Sequence, residues 1–242
     1  MLKRFIDISV SIVGLVITSP VLLFFSFAVW CQDFHSPFFV ADRVGLAGKS
    51  FKMVKLRSMI INAERSGVTS TSDVDNRITF VGRLIRKLKL DELTQLWNVL
   101  LGDMSLVGPR PNVAKWGVDL YTEEESRLLS VRPGITDFAS IVFADEGTIL
   151  SNEENPNLAY NQLIRPWKSR LSLFYIDNQS IGLDTMLVIT TALSIFSRAR
   201  ALRVIGRELT RRGATEQLIE IASRKNDLTP FPPPGSTEVV TL

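Results

Sequence analysis

Two adjacent acids, Asp91 and Glu92, stand between a basic cluster and a Pro-Arg-Pro turn in the stretch LKLDELTQLWNVLLGDMSLVGPRP. Acids are common in the first turn of a helix, because unpaired amide groups and the helix dipole favour negative charge there. A helix cap is therefore the conservative interpretation. The alternative is a reaction centre, in which one carboxylate attacks phosphorus and its neighbour helps to hold Mg²⁺. Neighbouring side chains on a helix point about 100° apart, which suits two separate roles.

Cations around this pair favour the reaction centre. Arg86 and Lys89 precede the acids, and Arg110 follows them. Such groups hold phosphate oxygens, and without them the carboxylates would repel a phosphate. Pro109 and Pro111 stiffen the backbone on either side of Arg110, which helps to aim its guanidinium.

The composition excludes several other kinds of site. The 242 residues include one cysteine and one histidine, which leaves no intrachain disulfide and no Cys/His zinc site, and argues against a histidine-activated nucleophile. Catalysis would then fall to carboxylates, Arg, Lys or a hard metal bound through oxygen. The net charge of +3 is a weak lean toward anionic partners, and the basic stretches lack interleaved aromatics, so no nucleic-acid partner is expected.

The N-terminal region reads as a membrane segment, because residues 8–30 contain no charge. A straight helix over this stretch would reach roughly 34 Å, enough to cross a hydrocarbon core. A secretory signal would have a shorter apolar stretch and a small-residue cleavage site.

Two features favour a re-entrant segment that dips into one leaflet and returns. Ser19-Pro20 near the middle predicts a break, since Pro20 removes a backbone donor and the hydroxyls of Thr18 and Ser19 can satisfy the released groups. The positive-inside bias also favours both flanks on the cytoplasmic side. The flanking cations are Lys3, Arg4, Arg43, Lys49, Lys52, Lys55 and Arg57. On the residues alone, an ordinary kinked transmembrane helix stays equally open.

Beyond this segment the patterns predict a mostly helical α/β chain with one small β-hairpin. The hairpin falls in SPFFVADRVGLAGKSFKMVKLRSM, around Gly45 and Gly48, and residues 62–76 read as a polar loop. FVGRLIRKLKL predicts an amphipathic helix, which suits either an anionic membrane surface or a solvated basic face. Further helices are expected with the stripe Leu93, Leu96, Trp97, Leu100, near 121–130 and near 157–174, and VRPGITDFAS is expected to be a loop.

The C-terminal part divides into three stretches. Residues 186–196 are apolar but too short to cross a bilayer, so they are expected to pack or to lie at the interface. The arginine-rich residues 198–226 predict a basic helical segment, for which acidic lipid and solvent are equally suitable. The proline-rich residues 227–242 are expected to be disordered.

Taken together, the motifs resemble the bacterial sugar transferase family, the monotopic polyprenyl-phosphate phosphoglycosyltransferases of the small single-domain type. The resemblance extends from Lys3 to about residue 195. It is carried by RFID leading to Ser19-Pro20, by DRVGLAGKSFKMVKLRSM, by DNRITFVGRLIRKLKLDELTQLWNVLLGDMSLVGPRP and by RPGIT.

The resemblance implies a reaction. Members transfer a phospho-sugar from a nucleotide diphosphate sugar, usually a UDP-sugar, to a polyprenyl phosphate such as undecaprenyl phosphate, with release of UMP. Asp91 would be the nucleophile that forms a covalent phospho-sugar intermediate, and Glu92 would assist with Mg²⁺ or with orientation. Arg86 would hold phosphate and Arg110 would contact the nucleotide. Further candidates for phosphate or nucleotide binding are Lys89, Lys55 and Arg57.

The resemblance also implies an organisation. Residues 1–32 would form the re-entrant anchor, 33–197 the catalytic domain, 198–226 a basic helical segment and 227–242 the tail. The protein would be monotopic in the bacterial inner membrane, with its catalytic domain in the cytoplasm, and would perform the first membrane step of glycoconjugate synthesis. Its expected partners are the nucleotide sugar, the polyprenyl phosphate and the phospholipid membrane, and a homodimer stays open.

Some positions depart from the family pattern. Thr94 stands where proline is usual, and Asp137, Phe138 and Ser140 stand where Gly, Trp and Gln are common. These departures concern the sugar and its contacts more than the reaction. A catalytically inactive membrane scaffold of the same fold is the alternative, but such a protein would not need to keep the Asp-Glu pair together with its arginines.

Overall fold

The computed structural model describes residues 1–63, 75–115, 117–151 and 153–241. Within them the chain is mostly helical and contains two small two-stranded sheets. The predicted mostly helical character and the β-hairpin are confirmed. Most of the polar loop predicted at 62–76 lies outside the described residues.

Helix α1 spans Leu2–Asp33 and continues through Ser19 and Pro20. The predicted break therefore does not interrupt the helix. Pro20 cannot donate to the carbonyl of Val16, but the Ser19 hydroxyl donates to it at 2.8 Å. The Thr18 hydroxyl similarly donates to the Gly14 carbonyl at 2.7 Å. By length and composition α1 is long and apolar enough to cross a membrane.

Both ends of α1 bind the rest of the chain through polar contacts. Near its start, Arg4 donates to the Leu100 carbonyl at 2.8 Å, and the buried Asp7 accepts from the Leu106 amide at 3.1 Å. At its end, Asp33 accepts from the guanidinium of Arg57 at 2.7 Å. The opposite face is apolar and exposed along its length.

The predicted hairpin follows directly. Strand β1 spans Phe38–Val44 and β2 spans Ser50–Leu56, and they pair antiparallel. The turn between them is a single 3₁₀ turn, Leu46–Gly48. Gly48 has a φ of 75°, in the left-handed region that glycine adopts without a steric penalty.

Three short helices follow: α2 at Phe80–Lys87, α3 at Leu90–Leu93 and α4 at Leu96–Leu101. A single helix was predicted for the apolar stripe that now divides between α3 and α4, and Trp97 of that stripe is exposed. Side-chain hydrogen bonds to β2 hold this region in place. Thr94 donates to the Val54 carbonyl at 3.0 Å, and the side chain of Asn98 accepts from the Val54 amide at 3.0 Å. Proline at position 94 could not make the first of these bonds.

The stretch predicted as the loop VRPGITDFAS contains regular structure instead. Strand β3, Ser105–Val107, pairs in parallel with β4, Gly134–Thr136, and α5 follows at Phe138–Val142. Each strand is only three residues long, too short to show a period-two pattern in the sequence. The pairing is non-local, so it was missed.

The remaining elements complete one core. The helix predicted near 121–130 is a 3₁₀ helix at Glu125–Ser130, preceded by another at Val118–Leu120. The helix predicted near 157–174 is confirmed as α7 at Pro156–Ala159, a π-helix at Tyr160–Ile164 and α8 at Arg165–Asp177. A short helix, α6, spans Glu146–Leu150. The last three helices are α9 at Ile181–Phe196, α10 at Arg198–Arg211 and α11 at Glu216–Ser223.

The C-terminal segment differs from its prediction. Residues 227–241 are irregular but packed, since Phe231 stacks on Trp167 with ring centroids 4.4 Å apart. The proline-rich composition was read as disorder because it cannot form helix or sheet, yet aromatic packing orders it. The basic helix α10 buries Ala201, Ile205 and Leu209 in the main core. Its outward arginines at 200, 203 and 207 are exposed.

Candidate active site

A cavity of about 780 Å³ opens where α2, α3, β2 and the Pro-Arg-Pro turn meet. It is lined mainly by polar and charged side chains. Most of the predicted site residues border this one cavity, namely Arg86, Lys89, Asp91, Glu92, Lys55 and Arg110.

The position of the two acids is set by a backbone reversal at Lys89. This residue has a φ of 54°, in the left-handed region, and it separates α2 from α3. Asp91 and Glu92 then fall in the first turn of α3, as the sequence predicted. The start of α2 is fixed as well, because the Thr79 hydroxyl accepts from the Gly82 amide at 2.9 Å.

Strand β2 brings Lys55 to the acids. Burial, together with the nearby charge of Arg110, lowers the pKa of Lys55 to about 8, although Asp91 and Glu92 act in the opposite direction. A lysine with this pKa is still mostly charged at neutral pH. It places a cation directly beside both carboxylates.

Arg110 is aimed by the parallel strands behind it. The Gly134 amide donates to the Pro109 carbonyl at 2.9 Å, which fixes the backbone one residue ahead of Arg110. The Arg110 guanidinium then donates to Glu92 Oε1 at 2.8 Å. Burial alone would raise the pKa of Glu92, but Arg110, Lys89 and Lys55 outweigh it and lower that pKa to about 2.

The environment shifts the pKa values of the two adjacent acids in opposite directions. Glu92 is ion-paired and stays charged. Burial raises the pKa of Asp91 above its ordinary value, with Glu92 adding to the effect and Lys55 opposing it. Among the described residues no hydrogen bond holds the Asp91 carboxylate, so its oxygens are available to a ligand in the cavity.

The acids also fit Mg²⁺, with one condition. Within the described part of the chain no group of three or more His, Cys, Asp or Glu side chains could hold a metal ion. Mg²⁺ in phosphoryl-transfer sites is commonly bound through one or two carboxylates plus substrate phosphates. Asp91 and Glu92 match that donor set only when a phosphate-bearing ligand supplies the remaining oxygens.

Arg57 was predicted to bind phosphate or nucleotide, and the structure places it elsewhere. Its guanidinium is buried, donates to Asp33 at 2.7 Å and to the Ser36 carbonyl at 2.8 Å, and does not border the cavity. The ion pair with the end of α1 satisfies this cation. It therefore fastens α1 to β2.

The far wall of the cavity carries residues that the sequence did not reveal. Lys168 of α8 is ion-paired with Glu146 of α6, and Tyr160 and Asn161 of the π-helix lie beside them. Burial would raise the pKa of Glu146, but Lys168 outweighs it and lowers that pKa. These residues come from separate segments without a shared motif.

A second group on this wall surrounds Tyr121. Arg165 lies over its ring at 5.7 Å and forms a buried ion pair with Glu125, and Asn112 donates to its hydroxyl at 3.1 Å. Burial raises the pKa of Tyr121 to about 12, so it stays a neutral donor. Arg43 of β1 also borders the cavity and adds a further cation.

Asp137, Phe138 and Ser140, which depart from the family pattern, lie in or behind this wall of the cavity. Asp137 is fully buried, and its carboxylate accepts from the Ser140 amide at 2.7 Å and from the Ser172 hydroxyl at 2.5 Å. Asp137 therefore caps α5 and does not reach the cavity. Phe138 is buried in the core, whereas Ser140 borders the cavity.

Apolar side chains lie exposed next to the acids. Phe80, Leu84 and Leu88 follow one another at four-residue spacing along and just beyond α2, and Trp97 and Leu101 do so on α4. Large exposed apolar surfaces mark contact with other proteins or with membranes. In the chain, α3 with its two acids lies between these two stripes.

Comparison with known proteins gives consistent matches. The model of the family described as bacterial sugar transferase matches residues 1–198. An uncharacterised sugar transferase, EpsL of Bacillus subtilis, is 39% identical over 195 residues, which cover 80% of this chain and 87% of that protein. A UDP-N-acetylgalactosamine-undecaprenyl-phosphate N-acetylgalactosaminephosphotransferase of Aeromonas hydrophila is 33% identical over 199 residues, or 81% of this chain and 44% of that protein. A UDP-glucose:undecaprenyl-phosphate glucose-1-phosphate transferase of Klebsiella pneumoniae is 33% identical over 196 residues, 80% of this chain and 40% of that protein.

Proposed function

The chain belongs to the bacterial sugar transferase family, and from this premise we propose that it transfers a sugar phosphate from a UDP-sugar to undecaprenyl phosphate, releasing UMP. The observation that carries the proposal is the convergence of Asp91 with Lys55, Arg86 and Arg110 around one cavity. The chain spans less than half of the Aeromonas and Klebsiella relatives whose names state this chemistry.

The reaction proceeds through two displacements at one phosphorus atom. In the first, a carboxylate oxygen of Asp91 attacks the sugar-bearing phosphorus, and the bond to the bridging oxygen breaks so that UMP leaves with the electron pair. In the second, an oxygen of undecaprenyl phosphate attacks the same phosphorus, and Asp91 leaves as a carboxylate. The products are UMP and the undecaprenyl diphosphate sugar.

The charged side chains of the cavity support each step. Arg110 stabilises the charge that develops on departing UMP, and Arg86 and Lys55 offset the charge on the transferred phosphate. The support for these roles is that all three cations border the cavity together with Asp91. Glu92, held by Arg110, keeps its charge and leaves Asp91 as the free nucleophile. Mg²⁺, held by Asp91, Glu92 and the phosphates of the donor, would neutralise diphosphate charge.

The acceptor fits the apolar surface beside the acids. The exposed stripes on α2 and α4 can contact lipid while the phosphate of the acceptor reaches Arg86. Both ends of α1 are bound to the same folded body, which favours a helix that enters and leaves one side of the bilayer. We therefore also propose a monotopic protein on the cytoplasmic face of the bacterial membrane.

A trapping experiment tests the proposed function. Purified protein with Mg²⁺ is incubated with UDP-N-acetylgalactosamine, UDP-glucose and UDP-galactose, first without acceptor and then with undecaprenyl phosphate. We expect a sub-stoichiometric burst of UMP and a phospho-sugar adduct on Asp91 by mass spectrometry, followed by turnover when the acceptor is added. Asp91→Asn should show neither, whereas Asp42→Asn, which changes an exposed acid outside the cavity, should behave as wild type. Turnover by Asp91→Asn at the wild-type rate would remove Asp91 from the nucleophile role.

A further inference from the structure

The chain continues beyond the family match, and its last part is integrated into the fold. The match ends at residue 198, and residues 199–241 contain most of α10, all of α11 and the irregular C-terminal segment. Helix α10 buries Ile205 and Leu209 in the main core, and α11 buries Leu218 and Ala222 there. This C-terminal brace, residues 199–241, is therefore part of the folded body.

Its first contact is an aromatic cluster behind α8. Phe231 stacks on Trp167 at 4.4 Å, and the guanidinium of Arg170 lies over both rings, at 4.9 and 5.3 Å. Arg170 also donates to the Pro232 carbonyl at 2.9 Å. The residue next to Trp167 along the helix is Lys168, which borders the cavity. The cluster thus holds the outer side of the helix that presents Lys168.

The second contact is with the π-helix. The Phe231 amide donates to the Gln162 carbonyl at 3.0 Å, and the Gln162 side chain donates to the Val240 carbonyl at 2.8 Å. Tyr160 and Asn161, in the same turn, border the cavity. A π-helix is a rare conformation and is frequent at functional sites. Here the brace supplies hydrogen-bond partners for both the backbone and the side chain of Gln162.

Two further contacts hold the other segments of the same wall. Thr122 directly follows the cavity residue Tyr121 in the chain, and its hydroxyl donates to the Pro234 carbonyl. Asp145 directly precedes Glu146, and it forms an ion pair with Arg224 at 3.4 Å. The segments that carry Tyr121, Glu146, Asn161 and Lys168 are therefore each bound by the brace.

We propose that the C-terminal brace positions the far wall of the cavity for the donor, so that it sets the affinity for the nucleotide sugar and leaves the transfer step at Asp91 unaffected. This inference rests on the proposed function. The brace contacts residues that are adjacent in the chain to the wall residues Glu146, Asn161 and Lys168. Among the described residues, none of the hydrogen bonds, ion pairs and ring contacts given above joins the brace to α3. Without the brace, wall side chains would have to be ordered when the donor binds, and each such side chain weakens affinity by about two- to tenfold. A change that weakens binding equally in ground and transition states raises KM and leaves kcat unchanged.

The test replaces Phe231, the residue at the centre of the brace contacts. We expect Phe231→Ala to raise the donor KM by roughly tenfold, with kcat and the KM for undecaprenyl phosphate unchanged. Phe231→Tyr, which keeps the ring, should restore the donor KM. Thr237→Ala, an exposed position in the same segment, is the matched control. A Phe231→Ala protein with wild-type donor KM, or with lowered kcat and unchanged donor KM, would overturn the inference.

Amide hydrogen exchange gives a readout that does not depend on turnover. In Phe231→Ala, exchange should accelerate at residues 157–169 and stay unchanged at residues 88–93, around the acids. Unchanged exchange at 157–169 overturns the inference whether or not the protein is active. If wild type releases no UMP from any donor, the proposed function fails, and the exchange result still decides the role of the brace.

Discussion

Gly134 lies where the two parallel strands behind Arg110 approach most closely, and its replacement by alanine tests whether that contact aims the guanidinium. A Cβ at position 134 would lie 2.1 Å from the Gly108 nitrogen and 2.5 Å from its carbonyl oxygen. Ordinary contacts begin at 3.4 Å, so the strands must separate by roughly 1.3 Å. Arg110 is two residues beyond Gly108, and the displaced backbone carries it away from Glu92.

The expected effect on activity is large although no charged residue is changed. A misplacement of about 1 Å lowers rates on the order of 100-fold. Overpacking of this kind also lowers the free energy of unfolding by about 1–3 kcal/mol. The assay is the initial rate of UMP release by protein in detergent, with the melting temperature measured on the same sample.

A second glycine provides the matched control. A Cβ added at Gly182, in α9, has no atom within 4 Å, so Gly182→Ala should keep full activity and stability. Gly134→Ala should be folded but slow, and the residual activity should not recover at saturating donor. If folded Gly134→Ala released UMP as fast as Gly182→Ala, the strands would not control the position of Arg110.

Two further predictions concern pH and topology. Because the Lys55 amine loses its charge as pH rises through about 8, kcat/KM for the donor should fall above that pH in wild type and stay level in Lys55→Arg; the same alkaline fall in both proteins would assign it to another group. In a Cys31→Ser background, single cysteines at positions 2 and 237 should both resist an impermeant maleimide in spheroplasts and both react after permeabilisation; protection of only one of them would mean that α1 crosses the membrane.

The grouping of the candidate site residues was predictable because its signals are local. Asp91, Glu92, Lys89 and Arg86 lie within seven residues of one another, so their types and spacing survive any arrangement of the rest of the chain. The hairpin was predictable for the same reason. The apolar N-terminal helix was also evident from composition. Its continuity through Pro20 was not, since it depends on a side-chain hydrogen bond to one freed carbonyl.

Errors arose where a distant residue decides the outcome. Arg57 has the same charge and nearly the same position in the sequence as Lys55, yet it forms an ion pair with Asp33 at the end of α1. The last segment was read as disordered from its prolines, but Trp167 provides an aromatic surface for Phe231. A sequence pattern shows what a side chain can bind, and it does not show which partner is within reach.

By itself the sequence determined the chemistry available to this protein: adjacent acids, flanking cations and an apolar helix, with almost no cysteine or histidine. The tertiary structure alone decided which of these side chains pair with one another and which of them face the cavity. It pairs Glu92 with Arg110, leaves Asp91 open to the cavity, and builds the opposite wall from segments far apart in the chain. The reason is physical, because residue type fixes charge and hydrogen-bonding capacity, whereas burial and partner distance, which set pKa and reactivity, exist only after distant segments pack together.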